Sequence, residues 1–372
     1  MAWVERFVRA DAAGGGDGTT DANSGANGAW TLAEAIAAYA AGQRINVRGD
    51  VGTYANTTTS RTFATAGTTI APVWWRGFNS TPGDLDNDPV TAKPLLTFTT
   101  GQFIASATQQ IFSSLSLLGT ANTSSLLVVT GGGCKFDRLR VENQGTNANS
   151  RAVNNLTTSA NTFTRCWFKS ASTANEVVLS SVGLTCQGCT LTGGGNGIAA
   201  SSALTVGLCT FVDLGSNGIT TSTASTLFVQ GCSFWSCGMD GIELAVVAAT
   251  TLPAMISNCI FAENAGYGIN NSTGANTNNI MRLHNLFYSN SSGTENGFGD
   301  SPSLAEQIDV VSPFGAASTG YLNVADNSNA KRNGLPGLFE NQLYTSYLDI
   351  GAVQRQEPEP FRGRGIVQGG KR

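Results

Sequence analysis

Charge is scarce in this chain. Asp, Glu, Lys and Arg make up 12% of its 372 residues, about half the share of an ordinary globular domain. No Lys or Arg occurs between Ser170 and Met281, and the net charge is -4, which excludes a nucleic-acid partner of the usual basic kind. The chain has one histidine, His284, and one Cys-x-x-Cys pair, Cys186 and Cys189, with no second pair beside it. A zinc site needs four such ligands, so neither is assigned a metal, and no cofactor is expected. A run of ~18 apolar residues, the least a membrane helix needs, is missing too. So is the apolar core of a secretory leader: Met1 to Gly14 holds Glu5, Arg6 and Arg9 instead. The expectation is a protein made and folded in a reducing cytoplasm, with no membrane partner.

What the chain has is repetition. Two short phrases return every 20 to 29 residues. In the first, a small or polar residue stands two before a large apolar one: Cys166 and Phe168, Cys189 and Leu191, Cys209 and Phe211, Cys232 and Phe234, Cys259 and Phe261, Asn285 and Phe287. Leu139 and Val141 begin the series. The second phrase ends at Ile198, Ile219, Ile242, Ile269 and Phe298, and in the first four a Gly precedes the Ile. Self-similarity at this period marks a solenoid, whose repeats bury their apolar faces only by stacking on one another.

A leucine-rich repeat would return through a helix, but here the return segments are Ser, Thr, Asn and Gly without a 3.6-residue apolar spacing. Short alternating strands with Gly and Asn turns fit a parallel β-helix. Cys and Phe then point inward, and successive copies stack at about 4.8 Å per rung. Cys166, Cys189, Cys209, Cys232 and Cys259 are expected as buried thiols of this ladder, and none of the eight cysteines is expected to need a disulfide. The Asn-Gly of the second phrase is expected at a turn that needs the left-handed conformation.

Only one stretch has the marks of a helix. Thr31 and Glu34 form a capping box before Leu32, Ile36, Tyr39 and Ala40, and Gly42 is expected to end it. Such a helix would plug the open end of the coil. With the Asp-Ala-Ala-Gly-Gly-Gly-Asp-Gly loop before it, Gly52-x-Tyr54 after it and the closing phrase Leu348 to Arg355, the chain resembles right-handed parallel β-helix proteins of the pectate-lyase-like superfamily, of the phage structural type. The resemblance implies an all-β fold with an N-terminal capping helix. The organisation expected is a cap over 1–60 with its helix at 31–42, the coil over 61–300, C-terminal rungs and cap over 301–355, and an extended tail over 356–372.

Chemistry is harder to place. Lyases of this superfamily use a Lys or Arg base, commonly with calcium, and the middle of this coil lacks both cations. The hydrolase phrases of polygalacturonase-like members are absent as well. Asp213 and Glu263, each two residues after an inward Phe and two rungs apart, would put their backbones roughly 10 Å from each other. That is near the separation of an inverting glycosidase pair, although both acids also suit turn starts. Asp240 falls where Asn196 and Asn217 fall and is taken as a turn residue. Asp84, Asp86 and Asp88 have the spacing that opens a calcium loop but lack its glycine and closing Glu, so a polar turn is the expectation.

Trp167 and Trp235 are expected on outer faces, as surfaces for sugar or for another subunit. The outward row Trp167, Thr190, Thr210, Ser233, Ile260, Leu286 is uncharged and apolar at both ends. In the tail, Arg362, Arg364, Lys371 and Arg372 outweigh Glu357 and Glu359, and Phe361 and Ile366 could fill apolar pockets of a partner. The expectation is a structural or interaction protein of a phage virion, a capsid decoration or tail-associated coil, made in the host cytoplasm, bound to other virion proteins and as a homotrimer. The alternative is a tailspike-like depolymerase of a bacterial surface glycan, a hydrolase acting through Asp213 and Glu263.

Overall fold

A computed structural model of the protein describes residues 3–328 except 57, 86–93, 122, 157–158, 223–225, 246–252, 274–278, 300–306, 310–311, 319–320 and 325–327. Asp86, Asp88, the phrase Leu348 to Arg355 and the tail 356–372 therefore lie outside the described residues. Three parallel sheets of 11, 11 and 10 strands, counted among the described residues, form the walls of a solenoid. In each sheet a strand pairs with its equivalents one coil before and one coil after. Sheet A runs from Val4–Val8 to Ile280–Leu283, sheet B from Tyr54–Asn56 to Gln307–Ile308, and sheet C from Arg61–Phe63 to Gly293–Asn296. The expected parallel β-helix is the fold.

The repeated phrases become registers. Phe211, Phe234, Phe261 and Phe287 pair strand to strand in sheet B. Their rings stack at 4.5, 4.9 and 5.2 Å, within 14° of parallel. Ile198, Ile219, Ile242 and Ile269 form the matching column of sheet C. Cys186, Val206, Val229 and Ile256 do so in sheet A. All of these side chains are buried. Each large one contributes about 1.5–3 kcal/mol by leaving water, and no single rung could bury its own.

The corners sort the residues differently from the sequence expectation. Gly197, Gly218, Gly241 and Gly268 do not adopt positive φ. They are glycines for want of room: a Cβ on Gly218 would lie 2.4 Å from both the Phe234 ring and the Gly241 carbonyl oxygen, and one on Gly241 2.5 Å from Phe261. Left-handed backbone occurs instead just before each ladder residue, at Arg138, Arg165, Gly188, Leu208, Gly231, Asn258 and His284. A second left-handed column, Asp213, Ser236, Glu263 and Ser289, follows the sheet B strands. The lone histidine is thus one member of a corner column.

The N-terminal end of the coil is closed by a helix. The helix, Leu32–Ala38, has the expected capping box at Thr31 and Glu34. Glu34 also accepts the Gly15 N–H at 2.7 Å, which ties the glycine-rich loop to the helix start. The helix stops sooner than expected, because Tyr39 is already extended. Its ring is drawn into the core against Trp75, and its hydroxyl accepts the Thr65 N–H at 2.8 Å. Gly42 takes φ +78° beyond the helix. The Gly52-x-Tyr54 phrase acts as a tether: Gly52 turns at φ +122°, and the Tyr54 hydroxyl donates to the carbonyls of Arg48 and Val8.

At the other end the aliphatic columns give way to charge. Arg282 occupies the register of Ile256, and Glu295 that of Ile269. They pair at 2.9 Å with the guanidinium over the Phe298 ring. Beyond them Phe314–Ser318 and Tyr321–Val324 form an antiparallel pair. Phe314 packs on the outward residues Val212, Ile260, Ala262 and Leu286 of sheet B. The apolar end of the outward row is therefore covered by the chain itself.

Candidate functional site

Sheet B and the corner after it carry most of the candidate residues. Asp213 and Glu263 are exposed there, two rungs apart with Ser236 between them. Their backbone N–H groups bond to the next rung, Asp213 to the Trp235 carbonyl and Glu263 to the Tyr288 carbonyl. The Glu263 carboxylate also accepts the Trp235 indole N–H at 3.1 Å. Trp235 is half-buried beside the Phe314 cluster, so its outward face is only partly available.

Trp167 lies three rungs earlier, half-exposed. The Arg140 guanidinium sits over its ring at 4.6 Å. Glu142 pairs with Arg140 at 3.0 Å and with Lys169 at 3.8 Å. Burial pushes its carboxyl up, but hydrogen bonds from Arg140 and Gln144 and the charges of Lys169 and Arg140 together outweigh that and hold it below the ordinary value.

The corner into sheet C holds a ladder that the sequence showed only as turn residues. Asn196 accepts the Asn217 N–H, Asn217 the Asp240 N–H at 2.8 Å, and Asp240 the Tyr267 N–H at 2.6 Å. Each side chain satisfies the backbone of the next coil, where a buried N–H would otherwise lose its partner. Asp240 also accepts from Asn270, and Glu243 from Asn217. The recurring Asn one place before Gly was the available signal.

The cysteines make a comparable ladder inside. The Cys189 N–H reaches the Cys209 sulfur and the Cys232 N–H the Cys259 sulfur. All eight are free and buried. Burial pushes the thiols of Cys166, Cys209 and Cys232 far above the ordinary range. They are neutral thiols and poor nucleophiles or metal ligands. No cluster of three or more His, Cys, Asp or Glu fit to hold a metal occurs among the described residues. At Asp84, both carboxylate oxygens are taken up by the N–H groups of Asn79, Ser80 and Thr81 at 2.8–3.0 Å. This is turn geometry at the first of the three acids.

Comparison with known proteins addresses the fold. A family model described as right handed beta helix region matches residues 151–307. Among solved structures, a rhamnogalacturonan lyase superposes with TM-score 0.60 at 11% identity, over 82% of this chain and 86% of that one. The pectate lyase Pel9A superposes with TM-score 0.54 at 13% identity, over 95% and 96%. No curated protein matches the sequence significantly. Identities this low speak for architecture alone. In architecture, the chain is a right-handed parallel β-helix.

Proposed function

We propose that the protein is a structural and interaction component of a phage virion, a rigid coil that decorates the capsid or belongs to the tail. The fold it shares with polysaccharide lyases is equally at home in structural proteins. One observation carries the choice: carboxylates of the middle coils serve as scaffolding. Glu176 pairs with Arg151. Asp240 and Glu243 hold the Asn ladder, and Glu263 holds Trp235. A catalytic acid must instead be aimed at substrate, within hydrogen-bond reach of the reacting atom.

Asp213 and Glu263 support a second reading as a glycan hydrolase, since both are exposed on one corner column two rungs apart, which at about 4.8 Å per rung is roughly 10 Å between their backbones. Two measurements separate the readings. Purified protein incubated with a panel of bacterial surface polysaccharides is expected to leave their chain length unchanged by size-exclusion chromatography. Antibody to the protein is expected to label intact particles in electron micrographs. Chain shortening by the wild type that vanishes in a folded Asp213→Asn/Glu263→Gln variant would overturn the structural reading.

A further inference from the structure

The charge of the described coil is concentrated. Lys135, Arg138, Arg140, Arg165 and Lys169 all fall on two consecutive rungs at the junction of sheets A and B. Only Asp137 and Glu142 oppose them on these strands and corners. Five cations against two carboxylates leave +3, in a chain whose net charge is -4. The remainder of the chain is therefore at -7, and no cation follows until Arg282.

The patch is both exposed and held in place. Side-chain exposure is 58% at Arg165, 54% at Arg140 and 45% at Lys169. The acids lie lower, each touching two cations: Asp137 pairs with Arg138 and Arg165 at 2.7 and 2.9 Å, and Glu142 with Arg140 and Lys169. Each acid cancels part of one cation's charge while fixing the direction of two. This limits the side-chain entropy that a partner's binding would otherwise cost.

We infer that this patch is a docking surface for an acidic protein segment, with Trp167 at its centre. The inference rests on the structural reading above and names the chemistry of one partner. A glycan would stack on the indole face, but Arg140 already lies over that ring. What is presented is a guanidinium fork beside an aromatic edge, the pair that dominates protein interfaces and binds carboxylates in a bidentate manner. Three projecting cations, Arg140 on one rung and Arg165 and Lys169 on the next, with the rungs about 4.8 Å apart, match carboxylates along an extended acidic strand or loop.

The test is fluorescence anisotropy of a labelled polyglutamate peptide with the full chain. Wild type is expected to bind, and more weakly as salt is raised, because exposed charges are screened. Arg140→Gln/Arg165→Gln/Lys169→Gln is expected to weaken binding at least tenfold. Arg165→Gln alone, at an exposed corner, should weaken it about threefold and cannot be blamed on the core. Lys371→Gln/Arg372→Gln, which removes tail charge only, should leave it unchanged. Failure of the wild type to bind, equal binding by the triple variant, or tighter binding of polygalacturonate than of the peptide would each overturn the inference. Polysaccharide cleavage would sink the structural reading instead, and the two failures are separately visible.

Discussion

The side chain of Asn285 accepts the Cys259 N–H at 3.1 Å and donates to the Ile256 carbonyl at 3.0 Å. It thereby does for the last full coil what cysteine does for those before it. The Cys259 sulfur lies 3.5 Å from the Cys232 N–H and 3.2 Å from the Ser257 carbonyl oxygen. The cysteine column is a weaker version of an asparagine ladder.

Cys259→Ala is accordingly expected to cost about 2–3 kcal/mol, since it opens a void and leaves the buried Cys232 N–H unbonded. Cys259→Ser keeps an acceptor and should cost less. Urea unfolding of the three proteins measures the order. Reductant should leave the melting temperature of the wild type unchanged, since all eight thiols are already free.

The glycine columns allow a test of steric against conformational need. Gly218→Ala should destabilise by about 2–4 kcal/mol, as overpacking against Phe234 does in a close-packed core. Leu208→Gly should stabilise by up to about 1 kcal/mol, because Leu208 bears the left-handed strain at φ 52° that Gly188 and Gly231 avoid. If Gly218→Ala proved neutral in thermal melts, the packing account would be wrong.

The Arg282–Glu295 pair sits almost wholly out of water. Removing one partner, as in Arg282→Met, should cost about 3–5 kcal/mol by stranding a buried charge. Arg282→Met/Glu295→Leu should recover most of that loss. A double-mutant cycle in denaturant measures the recovery, and an additive result would contradict direct coupling.

Asp84 gives a pH dependence with a definite sign. Burial raises its pKa, but three main-chain N–H groups outweigh that and hold the carboxyl below its ordinary 3.8. The folded state then prefers the charged form, so its stabilisation is complete above the unfolded value and is lost as pH falls through the lower, folded one. The melting-temperature gap between wild type and Asp84→Ala should stay constant from neutral pH down to the ordinary carboxylate range. It should narrow below that range.

Much of the fold was legible in the sequence because inward positions repeat. Phe211, Phe234 and Phe261 announce a column by spacing alone, and Thr31 with Glu34 announces a helix start by its local chemistry. What escaped depends on neighbours one coil away. Gly218 could be read as a turn residue or as a slot, and only the Phe234 ring distinguishes them. Tyr39 ends the helix through contacts with Trp75 and Thr65, far along the chain. The covering of Ile260 and Leu286 by Phe314 follows no period. The site was less legible: Asp213 and Glu263 were placed on one corner by counting, whereas the Arg140 stack on Trp167 is visible only once register sets those strands side by side.

The glycine slots also give the coil a direction. The Cβ-less space at Gly197 is filled by Phe211, that at Gly218 by Phe234, that at Gly241 by Phe261 and that at Gly268 by Phe287. In each case the ring comes from the following coil. Each of these four coils thus offers its slot to the coil after it, so a coil added at the C-terminal side would meet a seat already built, whereas one added at the N-terminal side would have to close its slot over a ring already in place.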